Sequence, residues 1–173
     1  AAQQETLCGP YLQEVIATAL CVAESNACMH RIVAAPTAGA CGVLPAVLVP
    51  LYRRGAVDEE AIVRALYVAA GIGAVVGYRA SISGASGGCQ AEVGVACSMA
   101  AAAACQAFGY NIHQIEYAAE VSLEHHLGLT CDPICGLVQV PCIERNAVAA
   151  KRAMDAFNLS GLLCGSRNIS FDM

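Results

Sequence analysis

The chain of 173 residues is 57% apolar and 13% charged, with a net charge of -5 at pH 7 and eleven cysteines but no tryptophan. An acidic balance without a cluster of Lys and Arg argues against nucleic acid and against an anionic membrane surface as partners. The cysteines are scattered through Ala/Val/Leu-rich runs, which points to reduced thiols in the cytoplasm rather than to a secreted disulfide framework.

The residues from Ala1 to Pro10 lack the basic, apolar and cleavage-site order of a signal peptide, and a chain starting at Ala1 reads as a fragment. Pro10 opens a predicted helix from Tyr11 to His30, and Pro45 stands in the first turn of a second, ending near Arg54 and Gly55. Asp58, followed by Glu59 and Glu60, starts a third running to about Gly77. A fourth follows Gly88 to about Phe108, with Gly109 as its stop. Asn111 caps a fifth from Ile112 to Leu127, and Pro141 opens a sixth to about Phe157. The tail from Asn158 to Met173 gives no clear element. With no alternating strand pattern, repeat or linker, the expected fold is all-α, a single compact Ala/Gly-rich helical domain over residues 1–173. The runs Ala61 to Val76 and Val93 to Phe108 are apolar, but each is shorter than the roughly 20 residues of a membrane span, so both are expected to be core helices.

Three loops are built from small residues: 35–42, 81–88 and 130–136. Small side chains let backbone N–H groups approach a ligand, and the first two loops lead into helix N-termini, which favour a carboxylate or a cluster. Tight turns between packed helices are the alternative. Cys89 and Cys142 fall at predicted helix N-termini, where a thiolate is stabilised, and Cys131 lies in a loop that Pro133 holds extended. Their separations, 42 and then 11 residues, match neither a zinc ribbon nor a ferredoxin run. Two readings stand: three thiolates holding an iron-sulfur cluster with one position open for substrate, or buried structural cysteines.

Cys97 with Cys105, and Cys21 with Cys28, are spaced to share helix faces and to pack as small hydrophobes. Cys41 and Cys135, inside the special loops, are candidates for a fourth ligand or a thiol beside the substrate. Cys8 and Cys164 carry no signal. His125 and His126 end the fifth helix just before Cys131, either as caps or as imidazoles near the site. His30 could line that site, and His113 reads as a surface residue. Glu92, one turn inside the fourth helix, is either a first-turn carboxylate or a partner for a substrate amine.

Three stretches taken together resemble one family. They are Ala-Pro-Thr37-Ala-Gly-Ala-Cys41-Gly-Val-Leu-Pro, then Ser-Ile-Ser-Gly-Ala-Ser-Gly-Gly-Cys89-Gln-Ala-Glu-Val-Gly, and Glu-His-His-Leu-Gly-Leu-Thr-Cys131-Asp-Pro followed by Val-Gln-Val-Pro-Cys142-Ile-Glu-Arg-Asn. From about Ala23 to Ala156 the chain is similar to the catalytic domain of the bacterial iron-sulfur L-serine dehydratases. The resemblance implies an all-helical domain whose Cys89, Cys131 and Cys142 hold a [4Fe-4S] cluster. It also implies conversion of L-serine to pyruvate and ammonia without pyridoxal phosphate. On this reading Thr37, Ala38, Gly39, Cys41 and Gly42 hold the substrate carboxylate, Ser81, Ser83 and Gly84 complete the pocket, and His125 is the candidate base. L-threonine and L-cysteine are alternative substrates, and a non-catalytic cluster or thiol module is the alternative class.

Two departures from the family pattern stand out. Ser86 occupies a place where many relatives carry Glu. The smaller family domain, with its Ser-Ser-His-Thr-x-Gly-Pro-Met stretch, is missing, as are parts of the N- and C-terminal regions, so a beta subunit or beta domain is the expected partner, in a homo-oligomer or heteromer.

Overall fold

The structure is a computed structural model that describes residues 7–131 and 140–163. Its elements are α1 (Gly9–Ala27), a 3-10 turn (Ala38–Ala40), α2 (Val43–Arg53), α3 (Glu59–Arg79), α4 (Gly84–Ala107), α5 (Ile112–Glu124) and α6 (Val140–Leu162). No strand occurs among the described residues, and the all-α expectation holds.

Local chemistry accounts for the boundaries. The Asp58 side chain accepts from the Ala61 N–H at 2.7 Å, capping α3 where its charge also meets the helix dipole. Asn111 and Gln114 form a reciprocal capping box at the start of α5. Gly55, Gly109 and Gly128 take positive φ at the chain reversals after α2, α4 and α5.

Several predicted boundaries shift. α1 begins at Gly9 and stops at Ala27, three residues before His30, because Met29 turns left-handed with φ 61°. α5 ends at Glu124 rather than Leu127, and α6 runs on to Leu162. The 81–88 loop is partly helical: α4 starts at Gly84, breaks at Gly88 (φ 73°, ψ -174°), and resumes at Cys89. Cys89 therefore still opens the long helical run, as the sequence suggests.

α4 is the central element, packing against α2, α3, α5 and α6. It is buried all round from Val93 to Cys105, as a helix without a polar face must be. Nearly half of these residues are Ala, and each of those contributes little apolar area. What they permit is close approach: a side chain at Gly94 would come within 2.8 Å of His126 Cβ, and one at Gly73 within 3.0 Å of the Met99 sulfur. α1 and α6 close the other side of the core with α2.

The membrane question resolves differently for the two apolar runs. α4, at 24 residues, and α3, at 21 residues, are both long and apolar enough to span a bilayer. The sequence underestimates both lengths, because Glu59-Glu60 and Gly84–Gln90 prolong their helices. α4 is a core helix as expected, but α3 is not: only Ala61, Ala65, Ala69 and Val76 are buried, whereas Tyr67 and Tyr78 lie outside.

Cys97 and Cys105 are buried, as their spacing predicts. Cys21 and Cys28 are exposed, which corrects that expectation. The buried stripe of α1 is Val15, Ala19 and Ala23, and Cys21 sits between two members of this stripe, on the opposite face of a 3.6-residue helix. Cys28 is the C-cap.

Candidate active site

The 3-10 turn after Thr37 is held by two side chains from distant helices. Asn146, fully buried on α6, donates through Nδ2 to the Gly39 carbonyl at 2.7 Å and to the Cys142 carbonyl at 2.7 Å, while its Oδ1 accepts from the Gly42 N–H at 2.9 Å. Asn26 Nδ2 donates to the Ala38 carbonyl, which also accepts from the Cys41 N–H. The Ala38 and Gly39 carbonyls are thus engaged by the protein, as are the Cys41 and Gly42 N–H groups, so those two carbonyls are not left to face an anionic ligand. Gly42 has to be glycine for space, since a Cβ there would lie 2.6 Å from the Ala19 carbonyl oxygen.

Glu92 projects from α4 into the same place. Thr37 Oγ1 donates to Glu92 Oε1. A Cβ at Gly39 would come within 2.6 Å of Glu92 Oε1, and one at Gly84 within 2.5 Å of Glu92 Oε2. The predicted substrate residues Thr37, Gly39 and Gly84 thus meet around one carboxylate. Cys41 is buried behind the turn with its thiol toward the Val22 carbonyl. Burial raises its pKa, and the charge on Glu92 adds to the rise. The far wall of Cys41 faces an apolar cavity of about 450 Å³ lined by Val22, Leu44, Leu48 and Leu66.

Ser81 and Ser83 lie in a strap bound up by its own hydroxyls. The Ser81 and Ser86 hydroxyl oxygens are 2.8 Å apart, and the Ser83 N–H donates to Ser81 Oγ at 3.1 Å. Ser86 is therefore part of the bonding that shapes this segment.

The cysteine side of the site is organised by Arg145, one turn along α6 from Cys142. Its Nη1 donates to Cys89 Sγ at 2.9 Å and to the Thr130 carbonyl at 2.9 Å. Burial pushes the Cys142 thiol up to about 11, with Cys89, Glu92 and Cys131 adding to the rise and Arg145 opposing it. Cys89, Cys131 and Glu92 thus all lie within electrostatic reach of Cys142. Gly88 makes the approach possible. A Cβ there would lie 2.7 Å from the Leu129 carbonyl oxygen and 3.5 Å from the Cys131 amide nitrogen. The Gln90 N–H donates to Leu129 O at 3.0 Å, and the Gly128 N–H to Gln90 Oε1 at 2.8 Å, stitching the 128–131 segment to α4.

Among the described residues no three His, Cys, Asp or Glu side chains converge as ligands of a single metal ion. A cubane cluster makes a different demand, because each thiolate binds a separate iron. Three neighbouring thiols, two of them buried, with a guanidinium beside them to offset negative charge, match that donor chemistry. The described residues therefore fit such a cluster. Cys135 and Pro133 lie outside the described residues, as does Cys164.

The histidines separate into distinct roles. His126 is buried, its Nδ1 2.7 Å from the Ser122 carbonyl, and burial lowers its pKa. His125 is exposed, with Nδ1 2.8 Å from the Val121 carbonyl, and its own carbonyl accepts from Arg152 Nη1. It lines a groove of about 340 Å³ together with Val93, Leu129, Arg145 and Arg152, on the flank of the cysteine site rather than at the Thr37–Glu92 contact. His30 and His113 are both exposed. Asn146 and Arg145 are the functional residues that sequence reasoning missed. Both sit within the quoted Cys142 stretch, and the i, i+4 spacing of Asn146 from Cys142 was the available signal.

A family model described as "Serine dehydratase alpha chain" matches residues 1–170. An L-serine dehydratase of Escherichia coli K12 is 49% identical over 155 residues, covering 89% of this chain and 34% of that relative. One from Streptomyces coelicolor is 51% identical over 160 residues, with the same two coverages. A probable L-serine dehydratase alpha chain of Bacillus subtilis is 44% identical over 156 residues, 90% of this chain and 52% of that relative. The chain thus spans about a third of the length of the first two relatives and about half of the third.

Proposed function

Because the chain belongs to the serine dehydratase alpha chain family, we propose that it forms the catalytic domain of a lyase converting L-serine to pyruvate and ammonia without pyridoxal phosphate. The observation that carries this reading is Arg145, whose guanidinium joins Cys89 to the Thr130–Cys131 segment one helical turn from Cys142. Cys89, Cys131 and Cys142 would hold a [4Fe-4S] cluster, leaving one iron without a protein thiolate. Such a cluster supplies a Lewis acid for the substrate hydroxyl and carboxylate.

The chain's own residues do the rest. The 37–42 turn would meet the carboxylate with its Ala38 and Gly39 carbonyls already bonded to Asn26 and Asn146. The Ser81–Gly84 strap closes the pocket beside it. His125 is the candidate base. The Val121 carbonyl can only accept, so Nδ1 carries the proton and Nε2 of the neutral ring is left with a lone pair for the α-proton. Loss of that proton and of the β-hydroxyl as water leaves aminoacrylate, which tautomerises to an imine and is hydrolysed to pyruvate and ammonia. The lengths of the relatives support a beta domain or subunit as the partner that completes the enzyme.

Anaerobic reconstitution with iron and sulfide, with the beta portion supplied, tests this reading. Pyruvate should form from L-serine, and Cys131→Ala should abolish both the cluster's visible absorption and turnover. His125→Ala should abolish turnover while sparing the absorption, and near-normal turnover would remove His125 from the role of base. A stable cluster without pyruvate formation would reject the proposed reaction.

A further inference from the structure

We propose that Glu92 is the specificity-determining anchor for the substrate's ammonium group, so that this site selects α-amino acids over the corresponding hydroxy acids. The inference rests on the reading of the pocket as a serine site. Glu92 is half-buried on α4, between the turn that would hold a carboxylate and the cysteines. Among the described residues its one hydrogen bond is from Thr37 to Oε1, and no Lys, Arg or His pairs with it. A carboxylate taken partly out of water without a cation is costly unless a ligand brings the positive charge.

The carboxylate sits where two glycine segments meet. Its oxygens lie where a Cβ would stand at Gly39 on the turn and at Gly84 on the strap. Alanine at either position would push the end of the Glu92 side chain aside, so the carboxylate occupies the space that the two glycine segments leave. An α-amino acid has its carboxylate and ammonium on adjacent atoms. With the carboxylate on the 37–42 turn, the adjacent ammonium would reach Glu92, whose Oε1 Thr37 holds. A second carboxylate, or a hydroxyl in place of the ammonium, would leave the half-buried charge unmatched.

The test compares L-alanine with L-lactate, which differ only in ammonium against hydroxyl and neither of which carries the β-hydroxyl that is lost. Titration calorimetry on the full-length reconstituted enzyme should show L-alanine binding more tightly than L-lactate. In Glu92→Gln that preference should fall by about 10- to 100-fold, the range of a charge-assisted hydrogen bond, and Glu92→Asp should recover part of it. For L-serine, Glu92→Gln should raise KM far more than it lowers kcat, with the cluster's absorption unchanged. An unaltered preference in Glu92→Gln would overturn the proposal, as would a fall in kcat at constant KM, which would make Glu92 a base. Because the binding comparison needs no turnover, a wild-type enzyme that prefers L-alanine yet makes no pyruvate would reject the serine reaction while leaving the anchor standing.

Discussion

Asn146 shows how one side chain sets the polarity of a binding turn. An amide has a donor face and an acceptor face, and here the donor takes the Gly39 and Cys142 carbonyls while the acceptor takes the Gly42 N–H. Asn146→Ala would strand these backbone groups in the interior, so the unfolding free energy should fall by about 2 to 3 kcal/mol in a urea titration. Asn146→Asp keeps the shape but turns an oxygen toward two carbonyls, and should raise the KM for L-serine as well. The buried thiols make a second case. Cys97 is pushed up to about 12 and Cys105 to about 11, chiefly by burial. Between pH 9 and those values the folded thiols keep protons that the unfolded chain has lost, so stability falls as pH rises through that window. At neutral pH, iodoacetamide followed by mass spectrometry should label exposed Cys21 and Cys28 and leave Cys97 and Cys105 untouched. His126 acts at the other end of the scale. Its pKa is lowered, so below the unfolded value of 6.5 the unfolded chain binds a proton that the folded ring refuses. Stability is therefore lost as pH falls below about 6.5, and the urea midpoint should be lower at pH 5 than at pH 7.

At the level of elements, the break at Gly88 is what lets α4 serve both as a core helix and as a cysteine platform. The strap before it runs helically from Gly84, then the left-handed residue re-aims the chain so that Cys89 begins a fresh helical run against the 129–131 segment. Gly88→Ala would combine a disfavoured φ with a Cβ only 2.7 Å from the Leu129 carbonyl oxygen. The expected loss is about 1 to 3 kcal/mol, read as a lower melting temperature, with reduced iron content after reconstitution because Cys131 is displaced. Gly88 was legible in the sequence as the residue before a helix start, but its contact with a segment some 40 residues further along the chain was not. The caps at Asp58 and Asn111 were fully legible, since each needs only a short polar side chain and the next turn of backbone. Helix length was less so. Nothing local tells α6 to continue past Phe157 to Leu162, and packing carries it onward, with buried Ser160 against Cys105. The extension of α3 to Arg79 is exposed and has no such packing.

Across the whole molecule, small residues concentrate where helices cross, and the larger apolar side chains of α3 are left outside. Tyr67 is 76% and Tyr78 92% exposed, with Val63 and Leu66 on the same helix also outside. These side chains add little to the stability of the described fold, so Tyr67→Lys should change its unfolding free energy by no more than about 0.5 kcal/mol, measured by urea denaturation. The sequence by itself determined the helical class, the capped starts of α3 and α5, the buried Ala-rich α4, and the family to which the cysteine stretches point. Each of these depends on residues close in the chain, or on motifs long enough to be specific. Only the tertiary structure decided which face of α1 is buried, and so left Cys21 and Cys28 exposed. It alone set Glu92 against Thr37, Gly39 and Gly84, tied the 37–42 turn to Asn146, and brought Arg145 onto Cys89. Those partners are 55 to 107 residues apart along the chain in the hydrogen bonds involved. Periodicity carries information over a few turns, and contacts at that range exist only once the helices have packed.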